Sequence, residues 1–222
     1  MKHSGVRLAP IAAILLVLGF VLLAYSPVMA KARPRLDPFD FRNNMRKLWE
    51  DHITWTRMFI VSDAANLPDE AFAAQRLLQN QVDIGNAIKP FYGEQAGNAL
   101  SALLTDHILI AVKLINAAKA GDLAGFNSAK TSWYDNGSQI AIFLHNANPK
   151  FWPLADTQSM MKMHLDLTLA EASDRLNGKW AADIGDYDMV HQEILQMADM
   201  LSLGIIHQFP DLFKALVSAK SG

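Results

Sequence analysis

Four of the chain's seven histidines have the residue type and the spacing that metal-binding chemistry needs. His52, His107, His164 and His191 each lie in a stretch whose apolar residues recur at helical spacing. Imidazole is the commonest side-chain ligand of metal ions, and helical bundles bind metals with side chains from facing helices. These histidines therefore indicate a metal site in the core of a helical bundle.

Counting residues from each turn places three of these histidines at the same height. If consecutive helices are antiparallel, His107 and His164 both lie about 14 residues from a turn, and His191 reaches the same level. His52 and Asp83 lie about one helical turn away. We therefore expect these side chains to converge in one layer of the bundle.

Nearby carboxylates complete the predicted ligand set. Glu171 lies on the same helical face as His164, and Asp188-Met-Val-His191 has the spacing of the Glu-x-x-His step in di-iron bundles, although no second copy of that step is present. Three methionines just before His164 favour copper(I) instead, so copper, iron and zinc are not distinguished. The predicted metal-binding residues are His52, Asp83, His107, His164, Glu171, Asp188 and His191.

A purely structural role fits the same histidines. Thr56 and Thr168 each follow a histidine by one helical turn, so hydrogen-bonded core histidines are the competing interpretation. The alternative hypothesis is a membrane-tethered structural or protein-interaction module with no bound cofactor. Its docking surface would be an apolar patch of exposed aromatic residues, namely Trp133, Phe151 and Trp152.

Other classes of function find less support in the sequence. It contains no Gly-x-Ser-x-Gly elbow, no phosphate-binding loop and no Rossmann fingerprint, so we predict no catalytic or organic-cofactor residue and do not favour an enzyme. An unrecognised hydrolase is the third hypothesis.

The first 35 residues hold five of the 20 basic side chains and no acidic one, which leaves 15 basic against 22 acidic in the rest. Such an acidic body argues against nucleic acid as a partner.

The elements that must position these residues are helices. A chain of 222 residues with 51% apolar content can bury a sizeable core, and the absence of cysteine excludes disulfides and thiolate sites. Short turn signals separate the helical stretches, which predicts an all-α, up-and-down bundle of about six antiparallel helices. The expected helices span residues 40–64, 70–89, 94–119, 123–146, 154–177 and 180–208.

The two halves of the bundle share short motifs in the same order. These motifs are His52-Ile-Thr-Trp-Thr56 and His164-Leu-Asp-Leu-Thr168, Arg76-Leu77 and Arg175-Leu176, and Asp83-Ile-Gly85 and Asp183-Ile-Gly185. The order indicates an internal duplication. The gaps between the motifs differ, so the two copies are not expected to form two equivalent His–Asp sites.

A hydrophobic segment precedes the bundle. Residues 8–30 carry no charge and are long enough to cross a bilayer as a helix, which predicts a signal peptide or a membrane anchor over residues 1–30. A linker (31–39), the bundle domain (40–212) and a tail (213–222) follow. We expect the domain in the cell envelope, outside the cytoplasm, with the membrane as its partner through this segment. The basic residues after the segment favour the opposite, cytoplasmic orientation.

Several motifs between residues 45 and 212 carry a resemblance to a known family. The motifs are His52-Ile-Thr-Trp-Thr-Arg57, Arg76-Leu-Leu-Gln-Asn-Gln-Val-Asp-Ile-Gly-Asn86, Pro90-Phe-Tyr-Gly93, Leu104-Thr-Asp-His107, His164-Leu-Asp-Leu-Thr168, Ala182-Asp-Ile184 and Gln208-Phe-Pro210. In them the chain resembles a family of uncharacterised bacterial proteins with a hydrophobic leader and one all-helical domain. Members carry names such as acetylglutamate kinase or glycosyltransferase, and this sequence supports neither activity. The resemblance implies the fold and adds nothing on chemistry.

Overall fold

The computed structural model describes residues 35–214, and the predicted leader lies outside them. Within this range the chain is helical and contains no β-strand, only a single bridge between Leu36 and Phe213. The all-α prediction is confirmed. The helices are α1 (Pro38–Ala64), α2 (Glu70–Ala120), α3 (Leu123–Ala147), α4 (Leu154–Leu176) and α5 (Trp180–Gln208), followed by a short 3-10 helix (Pro210–Leu212).

Local sequence explains where the helices begin and end. The Asp37 carboxylate accepts a hydrogen bond from the backbone N–H of Phe39, and proline occupies the first position of α1, where no N–H partner is needed. Gly121 ends α2 in the left-handed conformation, with φ of 69°. Asp122 then caps α3 by accepting from the N–H of Gly125 at 2.9 Å. Turn and cap residues therefore set these boundaries.

Helix α2 joins two of the expected helices, so the described chain has five α-helices rather than six. Gly93 interrupts it with φ of 84° and ψ of 169°, a conformation that favours glycine. The Ser101 hydroxyl donates to the backbone oxygen of Gln81 at 3.2 Å. A Cβ added to Gly97 would lie 2.6 Å from the backbone oxygen of Gly85. The first arm of α2 (residues 70–92) therefore folds back against the second arm (94–120).

Each helix packs against its neighbours in the chain, and α5 packs against α1, which closes the ring. Two clusters of buried apolar side chains fill its interior. Trp133 and Trp152 belong to these clusters, being 3% and 2% exposed, and Phe151 is partly buried. The expected patch of exposed aromatic residues is therefore wrong, because the indole rings pack inward.

One described helix, α2, is long and apolar enough to cross a membrane, by length and composition alone. A third of the residues in its most apolar window are buried inside the bundle. A core helix of a globular domain has the same composition, because its apolar face packs against other helices. The helix is therefore compatible with membrane association and equally with a buried position in the bundle.

The two copies of Asp-Ile-Gly are not structurally equivalent. Ile84 is fully buried, whereas Ile184 is 57% exposed. Conversely, Asp183 is fully buried, whereas Asp83 is partly exposed. The motifs therefore face opposite environments, and their likeness gives no support to a duplication.

Candidate functional site

Three histidines from three separate helical segments meet in the centre of the bundle. His52 comes from α1, His107 from the second arm of α2 and His164 from α4, and each is at most 4% exposed. The ring centroids of His52 and His164 are 5.6 Å apart, and those of His107 and His164 are 6.4 Å apart. We call these three residues the histidine cluster.

Each imidazole of the cluster is held through Nδ1 by a polar side chain on the following helical segment. His107 Nδ1 lies 2.9 Å from Asn136 Oδ1, and His164 Nδ1 lies 2.9 Å from Glu193 Oε2. The third contact joins His52 Nδ1 to Gln81 Nε2 at 3.2 Å. In all three rings the anchoring contact uses Nδ1, so Nε2 is the nitrogen left for a ligand.

The anchoring bonds determine which nitrogen carries the proton in two of the rings. The amide nitrogen of Asn136 donates to the backbone oxygen of Leu103 at 3.1 Å, which leaves Oδ1 to accept from His107 Nδ1. The carboxylate of Glu193 can only accept, so His164 Nδ1 also donates. When these rings are neutral, each Nε2 therefore has a free lone pair.

The His52 ring is anchored differently. The Gln81 amide nitrogen donates to the backbone oxygen of Leu77 at 2.8 Å, and its second hydrogen is shared between His52 Nδ1 at 3.2 Å and Asn80 Oδ1 at 3.3 Å. This orientation favours the tautomer with the proton on Nε2. The Gln81 Oε1 atom is buried without a partner among the described residues. To free the His52 Nε2 lone pair, the Gln81 amide must turn over, present Oε1 to Nδ1 and give up its hydrogen bond to Leu77.

The cluster lines a small internal cavity with a volume of about 30 Å³. The remaining wall is mostly apolar, and its polar members besides the histidines are Thr56, Trp133, Thr168 and Glu171. A water molecule needs about 10–15 Å³ of such volume. The cavity therefore has room for about two atoms of that size.

Burial keeps two histidines of the cluster, His52 and His107, neutral. Desolvation is the largest cause that lowers the pKa of His107 to about 3, and the neighbouring His164 lowers it further. The pKa of His52 is also well below 6.5, because of its burial and then of His164 and His107. At neutral pH these two imidazoles therefore have no proton to lose before they bind a ligand.

We expect the metal-free protein to lose stability as the pH falls below about 6.5. In the unfolded chain His52 and His107 gain a proton below that pH, whereas in the folded chain they stay neutral. Their contribution is therefore present above pH 6.5 and is lost towards the folded-state pKa, at about 1.4 kcal/mol per pH unit for each group. Urea unfolding with a chelator between pH 7 and pH 5 measures this slope.

The titration of Glu171 has the opposite effect on stability and makes the measured pH dependence of the free energy of unfolding smaller. Burial is the largest cause that raises its pKa from 4.5 to about 7, against the opposing effect of Arg57. A raised carboxyl pKa stabilises the fold below pH 4.5, and this contribution is lost as the pH rises through about 7. The E171Q variant should therefore lose stability more steeply on acidification than the parent. Equal slopes in the two proteins would contradict the raised pKa of Glu171.

A buried ion cluster lies directly beside the histidines. Arg57 donates through Nη1 to Glu171 at 3.0 Å and pairs with both carboxylate oxygens of Asp183. Burial alone would raise the pKa of Asp183, but hydrogen bonds and charge from Arg57 and Arg175 outweigh it and lower the pKa. One carboxylate therefore stays ionised against Arg57, while the other, Glu171, titrates near neutral pH.

The other predicted ligands lie away from the cluster. His191 is exposed, stacks on Tyr187 and lies 2.9 Å from Glu50 Oε1. Asp83 faces Arg76, and Asp188 is exposed. The structure therefore brings together His52, His107, His164 and, in the cavity wall, Glu171. The other three predicted ligands, His191, Asp83 and Asp188, lie outside the histidine cluster.

Sequence reasoning missed the three anchors, although a sequence signal for them exists. Each follows its histidine by 29 residues, and each pair spans the two segments of one helical hairpin. A search for a polar residue at a constant distance after each histidine would have found them. The anchors are Gln81, Asn136 and Glu193.

Within residues 35–214, no three His, Asp or Glu side chains are placed closely enough to hold a metal ion as they stand. None of the protein-family models, curated proteins or solved structures compared with the chain matches it. The resemblance to a bacterial family therefore stays a prediction, and function must be argued from this geometry.

Proposed function

We propose that the protein binds one transition-metal ion through the Nε2 atoms of His52, His107 and His164. The observation that carries the proposal is the convergence of three buried, anchored imidazoles on one small cavity. Histidine ligands of metals are held as His107 and His164 are, with the second ring nitrogen bonded to a carboxylate or carbonyl oxygen that fixes the ring.

The rings must move a short distance to close around an ion. With a metal–nitrogen distance of about 2.0–2.1 Å, ring centroids in a three-histidine site lie about 5–5.5 Å apart. The observed separations of 5.6 and 6.4 Å exceed this by about 1 Å or less. Completing the site also requires His52 and His107 to approach each other and His52 to change its tautomer.

Nearby carboxylates offset the charge that the ion brings into the core. Glu193 is hydrogen-bonded to His164 and is 5% exposed, and its Oε1 atom has no partner among the described residues. Glu171 lies in the cavity wall and can ionise near neutral pH. A buried cation needs such compensation, because an isolated charge in an apolar core is strongly disfavoured.

The bundle itself fits a threefold origin better than a twofold one. Three hairpins would each supply one histidine and one anchor: α1 with the first arm of α2, the second arm of α2 with α3, and α4 with α5. This makes six antiparallel segments around one site.

Tethering by residues 8–30 and a position in the cell envelope belong to the same proposal, and export would make copper and zinc relevant ions.

The test is metal content of the full-length chain by plasma mass spectrometry. We expect about one equivalent of metal in the parent and in His191→Ala, and none in His107→Ala or His164→Ala. His191→Ala is the matched control, because it removes an exposed imidazole outside the cluster. No metal in the parent after incubation with copper, zinc and iron salts would refute the proposal, as would equal loss in all three variants.

A further inference from the structure

A groove of about 350 Å³ between α4 and α5 is lined by four methionines and two carboxylates. None of the described residues that line it is basic. We call it the methionine groove. Its thioether side chains are Met160, Met163, Met197 and Met200, and its carboxylates are Asp156 and Glu193. Such a lining favours a cation over an anion or a neutral ligand.

The register of the two antiparallel helices places two of these methionines opposite each other. His164 Nδ1 lies 2.9 Å from Glu193 Oε2, so these two residues are level. Four residues before His164 is Met160, and four residues after Glu193 is Met197, each on the same helical face as its starting point. Met160 and Met197 therefore face each other one turn along the same contact, and they belong to one buried cluster.

The other two methionines flank this central pair. Met163 follows Met160 by three residues, and Met200 follows Met197 by three, so each lies about 4.5 Å along the axis from the pair. A methionine side chain is unbranched and has three rotatable bonds, so its sulfur can cover such a distance. The four sulfur atoms can therefore converge on one point in the groove.

The methionines extend from the core to the solvent. Met160 and Met197 are 8% and 2% exposed and pack in the apolar cluster, as core residues do. Met163 is 48% exposed, and Met200 is half-buried at the edge of that cluster. An ion can therefore reach the buried pair from solvent by way of the exposed thioether.

Glu193 supplies a negative charge whose bonding is incomplete. Its side chain is 5% exposed, and Oε2 accepts a hydrogen bond from His164. Oε1 is buried and has no hydrogen-bond partner within residues 35–214. A buried polar atom without a partner is costly. Because Glu193 lines the methionine groove, a cation bound there would satisfy this oxygen.

We propose that the methionine groove binds one copper(I) ion through its thioether sulfurs, with Glu193 offsetting the charge. Thioether sulfur is a soft ligand that suits copper(I), whereas harder cations prefer oxygen. The groove is separate from the histidine cavity, since the two share no lining residue. Binding in the groove therefore requires no ion in the histidine cluster.

The experiment follows the methyl groups of the methionines by NMR in the full-length chain, labelled with carbon-13 at these groups. The probe is silver(I) nitrate, because silver(I) binds the same soft ligands as copper(I) and needs no reductant. We expect the signals of the four groove methionines to shift together and to saturate at about one equivalent, the stoichiometry of a single site. Magnesium(II), which prefers oxygen ligands, should leave these signals unchanged.

Paired leucine substitutions test the sulfur atoms themselves. Met163→Leu with Met200→Leu keeps size and apolarity but removes two ligands. We expect silver(I) to bind about tenfold more weakly or worse, since even groups that only orient a metal ligand contribute about 10–100-fold. The matched control is Met58→Leu with Met189→Leu, which are 43% and 47% exposed and lie outside the groove. It should bind within about twofold of the parent, because distant sites act independently.

The outcomes also separate this site from the histidine cluster. His107→Ala should leave the response of the groove signals unchanged, because His107 does not line the groove. Groove signals that stay in place at several equivalents of silver(I) would overturn the proposal, whatever metal the histidine cluster holds. Equal weakening in the two leucine pairs, or shifts spread over all the methionines, would also overturn it.

Discussion

Replacing Gly85 by alanine should destabilise the protein by about 3 kcal/mol or more, because overpacking against backbone cannot be relieved by side-chain rotation. An added Cβ would lie 2.0 Å from Ser101 Oγ and 2.5 Å from the backbone oxygen of Gly97. The serine can rotate away, but the backbone contact holds the two arms of α2 together. The arms must separate, which weakens the hairpin that positions His107 relative to His52. Urea unfolding at neutral pH measures the change.

Gly185 is the matched control, since it follows the same Asp-Ile pair as Gly85. A Cβ added there meets no atom within 4 Å. Alanine is better than glycine inside an open helix, so Gly185→Ala should be neutral or stabilise by up to about 1 kcal/mol. Similar effects of the two substitutions would contradict the close packing of the two arms of α2.

Removing the carboxylate of Asp183 should cost about 3–5 kcal/mol, the range expected when one partner of a buried ion pair is lost. Asp183→Ala leaves the guanidinium of Arg57, whose side chain is 16% exposed, without its closest partner. The protein would also favour ionisation of Glu171, which is the remaining carboxylate on Arg57. Thermal and urea unfolding at pH 7 measure the loss.

The matched control for this prediction lies on the same helix. Asp199 pairs with Arg42 and Arg46, whose side chains are 38% and 33% exposed. Surface pairs contribute about 0–1 kcal/mol, so Asp199→Ala should be mild. If Asp183→Ala is equally mild, the ion cluster beside the histidines is not the buried network described here.

The sequence alone determines the class of fold and most helix boundaries. Apolar residues at helical spacing predict the helices, and Asp37, Asp122, Gly121 and Pro149 occupy the caps and breaks that separate them. These signals are local, because a cap bonds to backbone within the same turn. They therefore remain readable without any knowledge of how the helices pack.

The sequence also predicts the height of two of the three clustered histidines. His107 and His164 are placed in one layer by counting residues from the turns, and the structure puts them there. Height depends on a rise of about 1.5 Å per residue, so an error of one or two residues moves a side chain little. Convergence along the bundle axis is therefore within reach of sequence reasoning.

Only the tertiary structure decides which side chains point inward. His191 was expected in the core and lies on the surface, whereas Glu193, two residues on, is buried beside His164. Direction around a helix changes by about 100° per residue, so a two-residue step reverses the face. The choice between those faces depends on the rotation of α5 against its neighbours. That rotation follows from packing across the whole bundle, which no local stretch of the chain encodes.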